Sequence, residues 1–254
     1  DGIARVGEIE TYGSDLRIQV IPGQSSRTMD AERLIKEIRA LDKPDGTLIG
    51  GAAADFTDSQ SGISRTLPLA LGWIAFWVMI LIFIFTGSII LPIKAVLLNA
   101  LSLTATLGAV TWIFIDGNLK WLVGDFTVTG TLDSGTVILV AVVVFGLSMD
   151  YELFLLSRIR EEHLAGKTNV ESVAVGLQRS ARIITAAAVL LAVVFAAFVT
   201  SGVTSIKTMG FGVALAVLLD ATIVRGLLVP ALMRLFGENN WWAPQWMKRF
   251  TLHH

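Results

Sequence analysis

Between Arg65 and Lys94 the chain runs for 28 residues without a charged side chain. About 20 apolar residues cross the hydrocarbon core of a bilayer as a helix, and a helix satisfies its own backbone where no water is available. The composition agrees with that environment. Apolar residues make up 54% of the chain and charged residues 16%, and the mean hydropathy is +0.68, outside the range of a soluble domain. The expected fold class is a polytopic α-helical membrane protein. Read between flanking charges, five spans are expected at about 67–87, 95–115, 136–157, 183–206 and 209–233.

Charge also divides the chain. Residues 1–65 hold 8 Lys/Arg and 11 Asp/Glu, whereas residues 66–254 hold only 12 and 10. A soluble module over 1–65 is therefore expected ahead of a bundle over 66–236 and a tail over 237–254. In the module, Leu16, Ile18 and Val20 alternate with Arg17 and Gln19 as in a half-buried strand, which Pro22-Gly23 ends. A helix follows, with Thr28 as N-cap, Asp30 and Glu32 in its first turn, and Ala31, Leu34, Ile35, Ile38 and Leu41 at helical spacing. After the Pro44-Asp45-Gly46 turn, Thr47-Leu48-Ile49 reads as a second short strand, giving a βαβ unit, part of an α/β domain. About 60 residues make a thin domain. With a start at Asp1 rather than Met, the expectation is the C-terminal piece of a longer protein.

Lys/Arg bias orients the spans. Arg158, Arg160, Lys167, Arg179 and Arg182 fall in one connection, and Arg234, Lys248 and Arg249 at the C-terminal end, against Lys120 and Lys207 on the other side. Five spans with basic loops inside put the N-terminal module outside and the C-terminus in the cytoplasm, with Trp241, Trp242 and Trp246 as interface anchors. Thr168 with Glu171 three residues on has capping-box spacing, opening an amphipathic cytoplasmic helix near 169–182.

Several functions are excluded. A net charge of −1 leaves no basic footprint for nucleic acid. With no Cys and three His, two of them terminal, neither a Cys-based nor a His-rich metal site is expected.

Ionisable groups inside spans cost about 2.5–3.5 kcal/mol each on insertion scales, so they face a bundle interior or water and are functional candidates by default. Asp150 stands some fourteen residues into the third span, where low dielectric suits a carboxyl to alternate between neutral and ionised forms. Tyr151 beside it can donate to a carboxylate on another helix. Asp220 and Arg225 are secondary charge sites, with structural and functional roles both open. Five residues are about 140° on an α-helix, so these two are not expected to share a face. Glu152, about 200° from Asp150, is expected at a solvated or lipid-facing rim.

The stretch from Phe145 through Asp150-Tyr151 to Arg160 resembles the signature span of the MmpL (mycobacterial membrane protein large) transporters of the RND superfamily. Leu219–Arg225 through Val229-Pro230, followed by Trp241-Trp242, is similar to the close of the same family. Patched-like relatives usually show Gly-x-x-x-Asp-Asp; Gly146-x-x-x-Asp150-Tyr151 here favours the MmpL branch. The resemblance implies a proton-driven exporter in the plasma (inner) membrane, built of two similar halves, each with six helices and a periplasmic porter domain. This chain looks like the second half without its first helix and the beginning of its porter domain. Asp150 and Tyr151 match one half of the family's intramembrane proton relay. The partners implied are protons, membrane lipids, cell-envelope lipids, glycolipids or other hydrophobic substrates, and the N-terminal half of the transporter, with a homo-oligomer or accessory envelope proteins beyond it. No cofactor is implied.

Two other classes stay open. Asp150 and Asp220 on separate spans could form an intramembrane aspartyl protease dyad, although Tyr151 follows its Asp and Leu218-Leu219 precede Asp220, unlike those enzymes' motifs. A non-transporting lipid-sensing or scaffold protein would use the same bundle with a structural Asp.

Overall fold

The structure is a computed structural model that describes residues 2–23, 29–128 and 132–248. It divides into a smaller unit ending at Ala70 and a larger one beginning at Leu71.

The smaller unit opens with strands β1 (Ile3–Tyr12) and β2 (Asp15–Pro22), followed by helix α1 (Met29–Ala40). β1 and β2 pair antiparallel, with Tyr12 opposite Asp15 and Ile9 opposite Ile18. Gly13 takes φ +65 in the two-residue turn between them, a conformation open to glycine at little cost. The strand at Leu16–Val20 is thus present, but the βαβ expectation is corrected. Thr47–Ile49 forms no strand, and Leu48 is 95% exposed. The physical reason is loop closure: β1 reaches β2 across two residues, whereas a three-residue strand beyond α1 would close a far longer loop for few ladder bonds. Thr28, the expected N-cap of α1, lies outside the described residues. On α1, Arg39 donates to Asp58 at 2.8 Å.

Five helices are long and apolar enough to cross a membrane, so the chain is a multi-pass membrane protein. They are α2 (Ala52–Thr86), α3 (Ile90–Phe114), α5 (Ser134–Leu164), α6 (Asn169–Phe198) and a last span that begins as α7 (Thr204–Leu219). α2 begins well before residue 67 and carries Pro68 inside it, as spanning helices tolerate. Its Trp73, Phe76 and Trp77 are exposed and pack on one another, a surface suited to lipid. The separate amphipathic helix expected near 169–182 is instead the start of α6. Thr168 caps it in a full capping box with Glu171, and no Gly or Pro interrupts the ladder between Arg182 and the apolar run.

Small residues set two close crossings. A Cβ on Gly176 of α6 would lie 2.9 Å from the backbone N of Ile159 on α5, and one on Gly210 of α7 would lie 2.6 Å from the carbonyl O of Phe195 on α6. Such residues let helices approach in lipid, where van der Waals packing replaces the hydrophobic drive. Between α3 and α5, the short helix α4 (Lys120–Val123) buries Val123 against Val110, Ile113 and Phe114. The ammonium of Lys207 donates to the carbonyls of Val123 and Asp125 at 3.2 and 2.9 Å.

The last span ends in a π-helical segment (Asp220–Leu228), helix α8 (Val229–Phe236) and a 3₁₀ turn (Gly237–Trp241), before α9 (Gln245–Lys248). The turn is held by a buried polar knot. Asn240 Nδ2 donates to the carbonyls of Met233 and Gly237 at 2.6 Å each. Lys94 Nζ and Ser88 Oγ donate to the side-chain and backbone oxygens of Asn240 respectively. Asn169 Nδ2 donates to Met233 O at 2.8 Å, Trp241 Nε1 donates to Asn169 Oδ1 at 3.2 Å, and His163 stacks on Trp241. Asn240→Ala would strip partners from several buried groups at once, about 1–3 kcal/mol. A lowered thermal midpoint and faster amide exchange over residues 233–242 are the expected readouts; unchanged values would mean the knot does not hold this end.

Candidate functional site

The π-helical segment positions the site. Its hydrogen bonds run from i to i+5, so residues five apart come onto one face, and Arg225 Nη2 meets Asp220 Oδ2 at 2.5 Å. The expectation that these two would not share a face is corrected for that reason: the 140° offset belongs to an α-helix. Nor does Arg225 reach outward to the interface, being 1% exposed.

α5 supplies the other wall. Ser148 Oγ donates to Asp220 Oδ1 at 3.0 Å, and Arg225 Nη2 donates to the Ser148 carbonyl at 2.5 Å. One turn on, Glu152 is buried with its Oε2 4.0 Å from Arg225 Nε. The expected rim position of Glu152 is therefore also corrected. Ser148, Glu152, Leu155 and Ile159 follow helical spacing and are all buried, a periodicity readable in the sequence once the face opposite Asp150 is considered. Glu152 is the residue that sequence reasoning missed.

Asp150 points elsewhere. It shares the exposed face of α5 with Val142 and Gly146, while Tyr151, half-buried, sets its ring 5.1 Å from the guanidinium carbon of Arg225. The structure thus joins Tyr151, Asp220 and Arg225 in one cluster and leaves Asp150 on the adjoining open face. Two carboxylates and one guanidinium make a charged centre inside apolar packing that includes Met149, Leu155, Leu156 and Val224. Such a centre is costly to assemble and costlier to break, because removing one partner strands the others away from bulk water. Among the described residues no group of His, Cys, Asp or Glu is arranged to hold a metal ion.

The family model described as the MMPL family matches residues 19–252. The chain belongs to the MMPL family. This MMPL chain is 42% identical over 238 residues to the trehalose monomycolate exporter MmpL3 of Mycobacterium tuberculosis (strain ATCC 25618 / H37Rv), a match covering 92% of the chain and 25% of that relative. It is 39% identical over 201 residues to the mycolic acid-containing lipids exporter MmpL11 of Mycolicibacterium smegmatis, covering 79% of the chain and 21% of the relative. A putative membrane protein, SCO6666 of Streptomyces coelicolor, matches at 43% over 219 residues, with 86% and 31% covered. The MMPL chain therefore spans less than a third of each of these curated relatives.

Proposed function

We propose that this MMPL chain is part of a proton-driven exporter of cell-envelope lipids, glycolipids or other hydrophobic compounds, in which Asp150 and Tyr151 form one half of an intramembrane relay. One observation carries the reading: Asp150, on the open face of α5, is followed in the chain by Tyr151, whose ring lies 5.1 Å from the guanidinium carbon of Arg225 in the buried Asp220–Arg225–Glu152 centre. The names of the relatives, exporters of trehalose monomycolate and of mycolic acid-containing lipids, favour a lipid cargo.

In this reading protonation of Asp150 removes a negative charge from the margin of the centre. The field on Arg225 changes, and Arg225, which bridges the π-helical segment to α5, shifts the last span against its neighbour. The electrical drive is about 2.3 kcal/mol per charge per 100 mV, available when the site is reached from one side at a time. The module over 1–65 lies on the periplasmic side as part of a porter domain, the bundle over 66–236 sits in the plasma membrane, and the tail over 237–254 is cytoplasmic. The other half of the relay comes from the N-terminal half of the same transporter. Asp220 spends its two oxygens on Ser148 and Arg225, which favours this reading over a protease dyad whose two carboxyls share one proton.

Asp150→Asn in the full-length protein, reconstituted in vesicles with a labelled lipid, is expected to abolish export driven by a proton gradient while leaving expression and thermal midpoint unchanged. Export at the wild-type rate would sink the relay.

A further inference from the structure

Three residues on α3 carry buried polar groups that no other group in the described protein meets. The Asn99 amide (both Nδ2 and Oδ1), Ser102 Oγ and Thr106 Oγ1 have no hydrogen-bond partner, and these residues are 2%, 3% and 0% exposed. Positions 99, 102 and 106 follow helical spacing and line one face. A helical Ser or Thr usually settles its hydroxyl on the carbonyl four residues back. Thr104 on the same helix does so, to Ala100 at 2.8 Å, as do Thr86, Ser180 and Thr208 elsewhere in the bundle. Ser102 and Thr106 do not, which leaves both hydroxyls able to bond another group.

That face lies level with the charged centre. α3 and the last span run antiparallel, since Phe114 packs against Phe211 of α7 at one end and Lys94 donates to the Leu232 carbonyl of α8 at the other. A Cβ on Gly212 would lie 3.2 Å from Val110. Counting along both helices from that contact, with equal rise per residue, brings Thr106 level with Ala216 and Ser102 level with Asp220.

The centre has matching deficits. Arg225 Nε is buried without a hydrogen bond, and its 4.0 Å separation from Glu152 Oε2 is too long for a direct bond and suited to a bridging water. Two small, largely apolar-walled cavities of about 10 Å³ each adjoin the centre, one reaching Ser148, Tyr151, Asp220 and Arg225, the other reaching Glu152 and, on α3, Leu91, Lys94 and Leu98, next to Asn99 but not lined by it. Each is close to the room that one water needs, and each has polar side chains on its wall.

We propose that the polar face of α3 (Asn99, Ser102 and Thr106) is an internal hydration site, binding a short file of water that continues to Arg225 Nε and Glu152 and solvates the buried centre. The file is closed at both ends. Val110, Ile113, Phe114 and Val123 pack beyond Thr106, and Leu91, Ala95 and Leu98 pack beyond Asn99. Water held there lets the centre keep its charges in a dry bundle and offers protons a hydrogen-bonded route along α3 when either apolar plug opens. The site itself rests on the geometry alone; its effect on transport rests on the proton-driven reading above.

The test uses the full-length protein in lipid nanodiscs, at a resolution that shows ordered water. Density at hydrogen-bonding distance from the Asn99 amide, Ser102 Oγ, Thr106 Oγ1 and Arg225 Nε is expected; a dry α3 face overturns the proposal. The second arm is transport: Thr106→Val and Ser102→Ala together should slow gradient-driven export by about tenfold, and Thr106→Ser with Ser102→Thr should restore it. Wild-type export in the apolar pair overturns the functional part. The two readings fail separately. A hydrated α3 face with export unaffected by Asp150→Asn supports the site and removes the relay, whereas a dry face with export lost in Asp150→Asn does the reverse.

Discussion

Arg225→Gln in the full-length protein is expected to destabilise the bundle by about 3–5 kcal/mol and to stop export. Arg225 is 1% exposed, and its guanidinium pairs with Asp220 at 2.5 Å and stands 4.0 Å from Glu152. Glutamine would leave two carboxylates side by side without a counter-charge in a medium that screens poorly. The thermal midpoint in detergent measures the loss. A triple variant, Arg225→Met with Asp220→Leu and Glu152→Gln, removes the charges together and should recover much of the midpoint, because a buried ion cluster contributes little net stability against apolar packing of similar volume. It should not recover export, so stability and transport separate in this comparison. An unchanged midpoint in Arg225→Gln would mean that the centre is open to bulk water and the account of its burial is wrong.

Gly210→Ala carries the second large effect. One added carbon would lie 2.6 Å from the Phe195 carbonyl oxygen and 2.6 Å from Phe198 Cβ. Both are fixed by the α6 backbone, so no rotamer change relieves the clash and the helices must separate. A loss of about 3 kcal/mol, the upper end of overpacking costs, is expected. Gly108→Ala is the control. Nothing lies within 4 Å of the position its Cβ would take, so the midpoint should hold or rise slightly, since Ala is the better helix former. Equal midpoints for the two variants would show that α6 and α7 do not approach as closely as described.

The spans were legible because exclusion of charge over some twenty residues is a strong signal that tertiary contacts rarely override. The Thr168–Glu171 capping box was legible for a similar reason: it is local and satisfied within one helical turn. β1 has no clean alternation to announce it, although Gly13-Ser14 between Tyr12 and Asp15 is a hairpin signal. The site was only half legible. Asp150, Tyr151, Asp220 and Arg225 stood out as charges or a polar partner in apolar runs, but their grouping depended on the turn width of the last span. Angular arithmetic assumes 3.6 residues per turn and fails where the ladder widens. An opposite-charge pair at i, i+5 inside a span was the available clue to that widening. The rim expectation for Glu152 fails because the buried face of α5 is set by Ser148 and Leu155, not by the position of Asp150.

The polar knot around Asn240 bears on how such a chain is made. Ser88 meets Asn240 across 152 residues of sequence, and Asn169 meets it across 71. During synthesis the α2–α3 turn emerges long before its partner exists. Ser88, Lys94 and Asn169 must therefore stay in contact with water or lipid headgroups until the last span arrives, and long-range contacts of this kind form late. Closure of that end reports that the last of these five spans has joined the others, so a chain ending before Gly237 would have these membrane helices and still lack the fastening that holds their ends together.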